Sequence, residues 1–167
     1  ERPEIVDGPH RARGHGHVTA SKLSFSVGKK KLLDDVSFDV EPGQVLGVVG
    51  RSGSGKTTLV KLLGRLENVA RDRLFVDGVD INDWDLRDVH RGIALVPEDG
   101  FLFSATLRDN IAFADIEADD DTLRWVVAAT ALGSDVEQMP HGLATMVGEK
   151  GVTLSGGQRQ RVALARA

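Results

Sequence analysis

The chain has 167 residues with 21 basic and 25 acidic side chains, a formal net charge of -4, and no cysteine. That length suits one domain with a buried core, the acidic balance argues against a nucleic-acid partner, and the missing cysteines exclude a disulfide scaffold and a thiolate metal site. No apolar run reaches the roughly 18 residues needed to cross a bilayer, no signal peptide is visible, and a chain that opens at Glu1 and closes at Ala167 inside a running helix reads as a piece of something longer.

Residues 1–17 are rich in Pro, Gly, His and Arg, among them Pro9, Gly14, His15, Gly16 and His17, and read as a linker. The His15-Gly16-His17 triplet offers two metal-ligating side chains but no third at useful spacing. From Val18 onward Leu23, Phe25 and Val27 alternate with polar residues, as does Val36-Ser37-Phe38-Asp39-Val40, and both stretches predict half-buried strands. Glu41-Pro42-Gly43 is a turn. Val45–Val49 is an unbroken apolar run and predicts a strand buried on both faces of a parallel sheet. A Gly-rich loop leads into a helix from about Lys56 to Glu67, with Leu59, Leu62, Leu63 and Leu66 at helical spacing. Leu74–Val76 reads as a strand entering a tight Asp77-Gly78 turn.

Asp85–Arg91 predicts a short helix, and Ile93–Val96 a second buried strand stopped by Pro97. Ala105–Phe113 and Asp121–Leu132 carry helical periodicity, with Asp119–Asp121 placing negative charge at the second start. Met139–Gly142 is a loop, and a last helix begins near Ser155. This order of elements predicts an α/β core with a helical insertion. Trp84 and Trp125 are expected in core or interface packing, Phe25 in the core, Arg159, Arg161 and Arg166 on a solvated helix face, and Asp99 and Asp109 at a turn and a helix start.

Gly50-Arg51-Ser52-Gly53-Ser54-Gly55-Lys56-Thr57 fits the phosphate-loop pattern G-x-x-x-x-G-K-[ST] between a strand and a helix. Triphosphate oxygens need many donors in a small concave space. Glycines let backbone N–H groups turn inward, the following helix presents its unpaired amides and positive dipole end, Lys56 adds a charge near the β and γ phosphates, and Thr57 is the expected Mg²⁺ ligand. Thr58 joins the nucleotide-binding set. It also stands where a dinucleotide fingerprint would want glycine or alanine, so that pattern is not met.

Leu154-Ser155-Gly156-Gly157-Gln158, followed by Arg159-Gln160-Arg161, is a serine N-cap and two glycines opening a helix, again an anion-binding start. Together with the phosphate loop it resembles the ABC ATPase family over nearly the whole chain. Glu149-Lys150-Gly151, Val96–Phe103 and Thr106–Ile111 resemble exporter segments, and Glu4–Pro9 resembles the linker after an exporter's last membrane helix.

The resemblance implies a P-loop NTPase (RecA-like) core with an antiparallel β subdomain and an inserted helical subdomain at about 104–154, incomplete at the C-terminus. Residues 18–167 are then a partial ATP-binding domain, and 1–17 a linker from a transmembrane domain on the same polypeptide. It implies ATP and Mg²⁺ as cofactors, a location on the cytoplasmic face of a membrane, and head-to-tail pairing with a second such domain as a homo- or heterodimer. In that pairing Ser155, Gly156, Gly157 and Gln158 close over the partner's nucleotide, the first three on its γ phosphate, and ATP binding and hydrolysis move attached membrane helices in export.

The sequence departs from the family in three ways. The family's next apolar strand, with its Mg²⁺-organising aspartate and the catalytic glutamate, does not occur before Ala167, so the resemblance implies that this chain alone hydrolyses ATP at background rate. Glu98 stands where the family has a glutamine that senses Mg²⁺ and the γ phosphate. A carboxylate is still a hard oxygen ligand, so Lys56 and Glu98 are the expected catalytic pair, Thr57 and Glu98 the expected metal ligands, and the site is either a working variant or one half of an asymmetric pair. Val27 falls where the family has an aromatic that stacks on adenine, a contact worth on the order of 1–3 kcal/mol in nucleic-acid systems. Alternatives to the export motor are a non-transport ABC clamp and an importer subunit; a P-loop kinase has no role for Leu154–Gln158.

Overall fold

A computed structural model of the chain describes residues 5–10, 15–98, 100–114, 117–149 and 152–167. Glu4, Gly14, Asp99, Lys150 and Gly151, singled out above, lie outside them. The chain divides into two compact units, Glu1–Ala94 and Leu95–Ala167.

In the first unit, β1 (Val18–Val27) and β2 (Lys30–Val40) form a long antiparallel hairpin, as the alternation predicted. β3 (Leu74–Val76) pairs with β1, and β4 (Val79–Asp80) with β3, giving the order β2-β1-β3-β4. The β3–β4 turn is Asp77-Gly78, both at positive φ, as a two-residue hairpin of this hand requires. Register slips along β1–β2 coincide with left-handed residues at Lys22 and Asp35. Their freed amides are met by the Ser37 and Ser24 hydroxyls, both at 2.9 Å.

Helix α1 (Lys56–Leu63) lays Leu59 and Leu62 onto the core of Ala20, Leu23, Leu33, Leu74 and Ile81, with Phe25 packed at its margin. It ends four residues before Glu67. Arg65 takes a left-handed conformation, Arg65 N donates to Leu62 O (3.1 Å) and Leu66 N to Lys61 O (2.9 Å). That double closure is a Schellman stop, and it leaves Leu66 exposed. A short 3-10 turn, Ile81–Asp83, precedes α2 (Leu86–Gly92), whose start is capped by Asp85. Trp84 is buried and donates to Val76 O.

Residues 5–10 are held against this unit. Gly8 N donates to Trp84 O (3.1 Å), His10 N to Asp83 O (2.8 Å) and Leu86 N to the Asp7 carboxylate (2.7 Å). The Asp77 carboxylate accepts the amides of His15, Gly16 and His17.

The second unit begins with a loop to β5 (Ala105–Thr106), which pairs with β6 (Met146–Val147). The run expected as one helix over Ala105–Phe113 is therefore divided: two residues serve the ladder, Thr106 caps α3 (Leu107–Ile111), and a 3-10 turn covers Ala112–Ala114. Helix α4 (Asp120–Ala129) is capped by Asp119 and stops at the left-handed Ala131, short of Leu132. Next come α5 (Gly133–Glu137), a 3-10 turn at Gly142–Ala144, and α6 (Gly156–Arg166). Leu107, Ile111, Leu123, Leu132, Val147, Leu154 and Val162 form the core.

Two predicted strands are absent. Val45–Val49 and Ile93–Val96 carry no ladder, and Val45 and Val49 are 96% and 94% exposed. A strand buried on both faces needs hydrogen-bonding neighbours on both edges, and no described residue pairs with either run. Trp125 is 70% exposed on α4, outside the core.

Trp84 is buried and Trp125 exposed, one in each unit, so the tryptophan emission shift on unfolding reports mainly the first unit. Leu62→Ala is expected to lower its stability by about 2–5 kcal/mol in urea titrations followed by that emission.

Candidate functional site

The loop predicted to hold phosphate connects the exposed Val45–Val49 run to α1. Gly55, the N-cap, has φ +96, and a Cβ there would lie 2.4 Å from Leu32 O of β2. Only glycine takes that conformation so close to a neighbouring backbone. The first turn of α1 has no capping side chain and no acidic residue, so its amides remain available to an anion. Lys56 Nζ folds back to Gly50 O (2.7 Å) and Arg51 O (3.0 Å), arching the loop over its own backbone. Ser54 N donates to Arg51 O at 3.2 Å. Arg51, Ser52, Gly53 and Thr57 are exposed and Thr58 half-buried.

Val27 ends β1 at the hairpin turn, paired with Lys30 and half exposed. This is the end of the hairpin that Gly55 touches through Leu32.

In the second unit, α6 starts with a closed capping box. Gln158 N donates to Ser155 Oγ (3.3 Å) and Ser155 N to Gln158 Oε1 (2.8 Å). Ser155, Gly156 and Gly157 are exposed above buried Leu154. Glu98 is exposed and lines an open cleft of about 660 Å³ with Gly100, Phe101, Gly156, Arg159 and Gln160. Gln160 Nε2 donates to Glu98 O at 3.5 Å. Thus Glu98 and the Ser155–Gln158 loop share one cleft, while Lys56 and Thr57 belong to the first unit.

The arginines expected on a solvated face are engaged. Arg159 donates to Leu154 O and Arg161 to the Asp135 carboxylate. Arg166 is half-buried, where desolvation lowers its pKa, and donates to Asn110 O, Phe101 O and Asn110 Oδ1. A helix packed on one side presents part of every turn to its own unit, and long side chains reach the carbonyls there.

His17 meets two potential metal ligands, Asp39 and Glu41, and His15 is not part of the group. His17 Nε2 lies 3.0 Å from Asp39 and 3.9 Å from Glu41, brought together by the β1–β2 pairing. Asp39 and Glu41 are exposed and His17 is half-buried, and the His17–Asp39 contact is already a hydrogen bond. The hydrogen bond to Asp39, followed by desolvation in the opposite sense and the charges of Asp39, Glu41 and Asp77, leaves the imidazole pKa raised.

The profile of the ABC transporter family matches residues 33–167. The chain belongs to the ABC transporter family. It is 42% identical over 171 residues to an ATP-dependent lipid A-core flippase of Aromatoleum aromaticum, covering 100% of this chain and 28% of that protein. It is 43% identical over 169 residues to the flippase of the same name from Pseudomonas fluorescens, covering 99% of this chain and 28% of that protein. The solved structure of a bacterial Atm1-family ABC exporter with ATP bound matches with a TM-score of 0.89 and 32% identity, over 99% of this chain and 30% of that one. The α/β P-loop fold of an ABC ATP-binding domain, expected from the sequence, is therefore this chain's fold. The chain spans little more than a quarter of the length of these flippases.

Three residues of this ABC chain escaped the sequence reading. Asn110 is fully buried and uses both ends of its amide: Oδ1 accepts Phe103 N (2.9 Å), and Nδ2 donates to Phe103 O and Thr106 O (both 3.0 Å). Arg65 is buried between Ile81 O and Val6 O. Asp135 binds α6. Nothing local marks Arg65 or Asp135, because their partners are distant in sequence; Asn110 bonds residues four and seven positions back, across a turn that no residue pattern announces. The Ser155-x-x-Gln158 capping box, in contrast, was available as a four-residue pattern.

The raised His17 pKa means that its ion pair with Asp39 is fully formed below the ordinary imidazole value and is lost as pH rises through the raised one. In an NMR titration His17 is expected to titrate above 6.5, and Asp39→Asn to bring its midpoint down toward that value.

Proposed function

We propose that the chain is the ATP-binding motor part of an ABC exporter, in which ATP draws two such domains together and its hydrolysis releases them. The observation that carries this is the start of α1: a glycine locked against Leu32, an uncapped and acid-free first turn, and Lys56 arched over the same loop. Such a start suits a polyanion, and the printed names of the relatives, flippase and exporter with ATP bound, support ATP as that anion and outward transport as its use.

In this reading Gly50, Arg51, Ser52, Gly53, Ser54, Gly55, Lys56, Thr57 and Thr58 hold the triphosphate, with Val27 near the adenine. Ser155, Gly156, Gly157 and Gln158 form the second half-site, which meets the nucleotide of a facing domain. Gly50–Ser54 and Thr57 of the first half-site and Ser155–Gly157 of the second are exposed, which leaves them accessible to a ligand or partner. The Mg²⁺ that accompanies ATP screens the phosphate charge. The Thr57 hydroxyl of the first unit and the Glu98 carboxylate of the second are each a hard oxygen donor of the kind Mg²⁺ takes. Residues 1–17 are read as the link to membrane-spanning segments, 18–167 as the ATP-binding domain and about 104–154 as its helical part, at the cytoplasmic face of a membrane. No described helix is long and apolar enough to cross one.

Lys56→Ala in the full-length protein is expected to weaken Mg-ATP binding about 10- to 100-fold in calorimetry, the scale of a lost charge-assisted hydrogen bond. Unchanged affinity would sink the reading. Glu98→Gln is expected to raise severalfold the Mg²⁺ concentration that half-saturates ATP turnover; no change would make Glu98 silent at the metal.

A further inference from the structure

We infer that Asp135 is a positioning residue for the Leu154–Gln158 loop, fixing which way the Gln158 amide points and, through it, the helix cap at Ser155. The inference rests on the reading that Ser155–Gly157 meet a nucleotide.

A glutamine amide is nearly symmetric in shape but not in polarity: one end only accepts and the other only donates. Gln158 is held from both ends. Its Nε2 donates to Asp135 Oδ1 at 3.0 Å, and its Oε1 accepts Ser155 N at 2.8 Å. Rotated by half a turn, the amide would set its NH₂ against the Ser155 N–H and its oxygen against a carboxylate. Two hydrogen bonds would become two repulsions. The other carboxylate oxygen takes Arg161, with Nε at 3.1 Å and Nη2 at 2.6 Å. Gln158 and Arg161 lie three residues apart on α6 and share a face, so one side chain on α5 grips that face at two points.

Asp135 suits this task. Its side chain is only 14% exposed. The hydrogen bond from Gln158, and then that from Arg161, hold its carboxyl below the usual carboxylate range, so it stays ionised at neutral pH. With Gln158 oriented, Ser155 Oγ accepts Gln158 N, which leaves the hydroxyl hydrogen and the first-turn amides of Gly156 and Gly157 unspent within the helix. Without the carboxylate the Gln158 amide is free to rotate, Ser155 N loses its acceptor, and the first turn of α6 frays. The donors keep their identity and lose their aim.

The test is a double-mutant cycle in the full-length protein on Asp135→Ala and Gln158→Ala, read as kcat and KM for ATP together with calorimetric ATP affinity. Each single variant is expected to lower kcat about tenfold, with ATP affinity at the P-loop within about twofold of the parent, and the double variant to be no slower than Gln158→Ala alone. Multiplying losses in the double variant would overturn the inference, as would an unchanged kcat with only a lowered Tm, which is the mark of a plain brace. If Asp135→Ala does not fold, Asp135→Asn enters the same cycle: it keeps one acceptor for Gln158 but loses the charge for Arg161. A smaller drop in kcat that vanishes in the Gln158→Ala background is expected, and additivity again overturns. Normal ATP binding by Lys56→Ala removes the nucleotide reading beneath, whereas a fully active Asp135→Ala beside a defective Lys56→Ala removes this inference alone.

Discussion

A helix cannot bond its own first amides, and the two helices that begin at the glycine-rich motifs answer that constraint in opposite ways. At α1 the chain leaves the donors unspent. Gly55 caps without a side chain, no acid stands in the first turn, and Leu32 O against the Gly55 Cα forbids a bulkier residue. The resulting concentration of N–H groups and dipole is unfavourable alone and favourable beside an anion. At α6 the chain spends some of the donors, through Ser155 and Gln158, and so fixes the helix start without occupying the amides of the two exposed glycines. The first start leaves its donors open and the second holds a fixed cap. Both lack a resident acid, which would compete for the donors.

The fold was legible in the sequence wherever a pattern is closed locally. The β1–β2 alternation, the Asp77-Gly78 turn, the Asp85 and Asp119 starts and the Ser155 cap each depend on residues within a few positions of one another. It was illegible where distant partners decide. Val45–Val49 is as apolar as any buried strand, but apolarity records a tendency to be covered and not whether a cover exists among the described residues. Ala105-Thr106 has helical periodicity, yet Met146-Val147 takes it into a ladder. Two helices stop early at Arg65 and Ala131, neither of which looks like a terminator, since left-handed conformations at non-glycine residues are chosen by packing. The candidate site follows the same division. The glycine-rich loop before α1 and the capped glycine pair stand out as strings, while Asp135, which accepts from the Gln158 amide, lies 23 residues away.

Arg65 shows what the early stop of α1 achieves. Continuing the helix would carry this side chain round to another face. The left-handed turn instead buries its guanidinium, where Nη1 donates to Ile81 O at 2.6 Å and Nη2 to Val6 O at 3.0 Å. Desolvation lowers its pKa, partly offset by the charges of Asp80 and Asp7, and Nε finds no partner. A cation buried on carbonyl contacts costs stability. What it secures is mechanical: the helix that opens at the phosphate loop is closed by a residue gripping both the 3-10 turn before Trp84 and the segment ahead of β1. Helix α1 therefore starts where Gly55 passes close to Leu32 O of β2 and is tied just past its end by the two carbonyl contacts of Arg65.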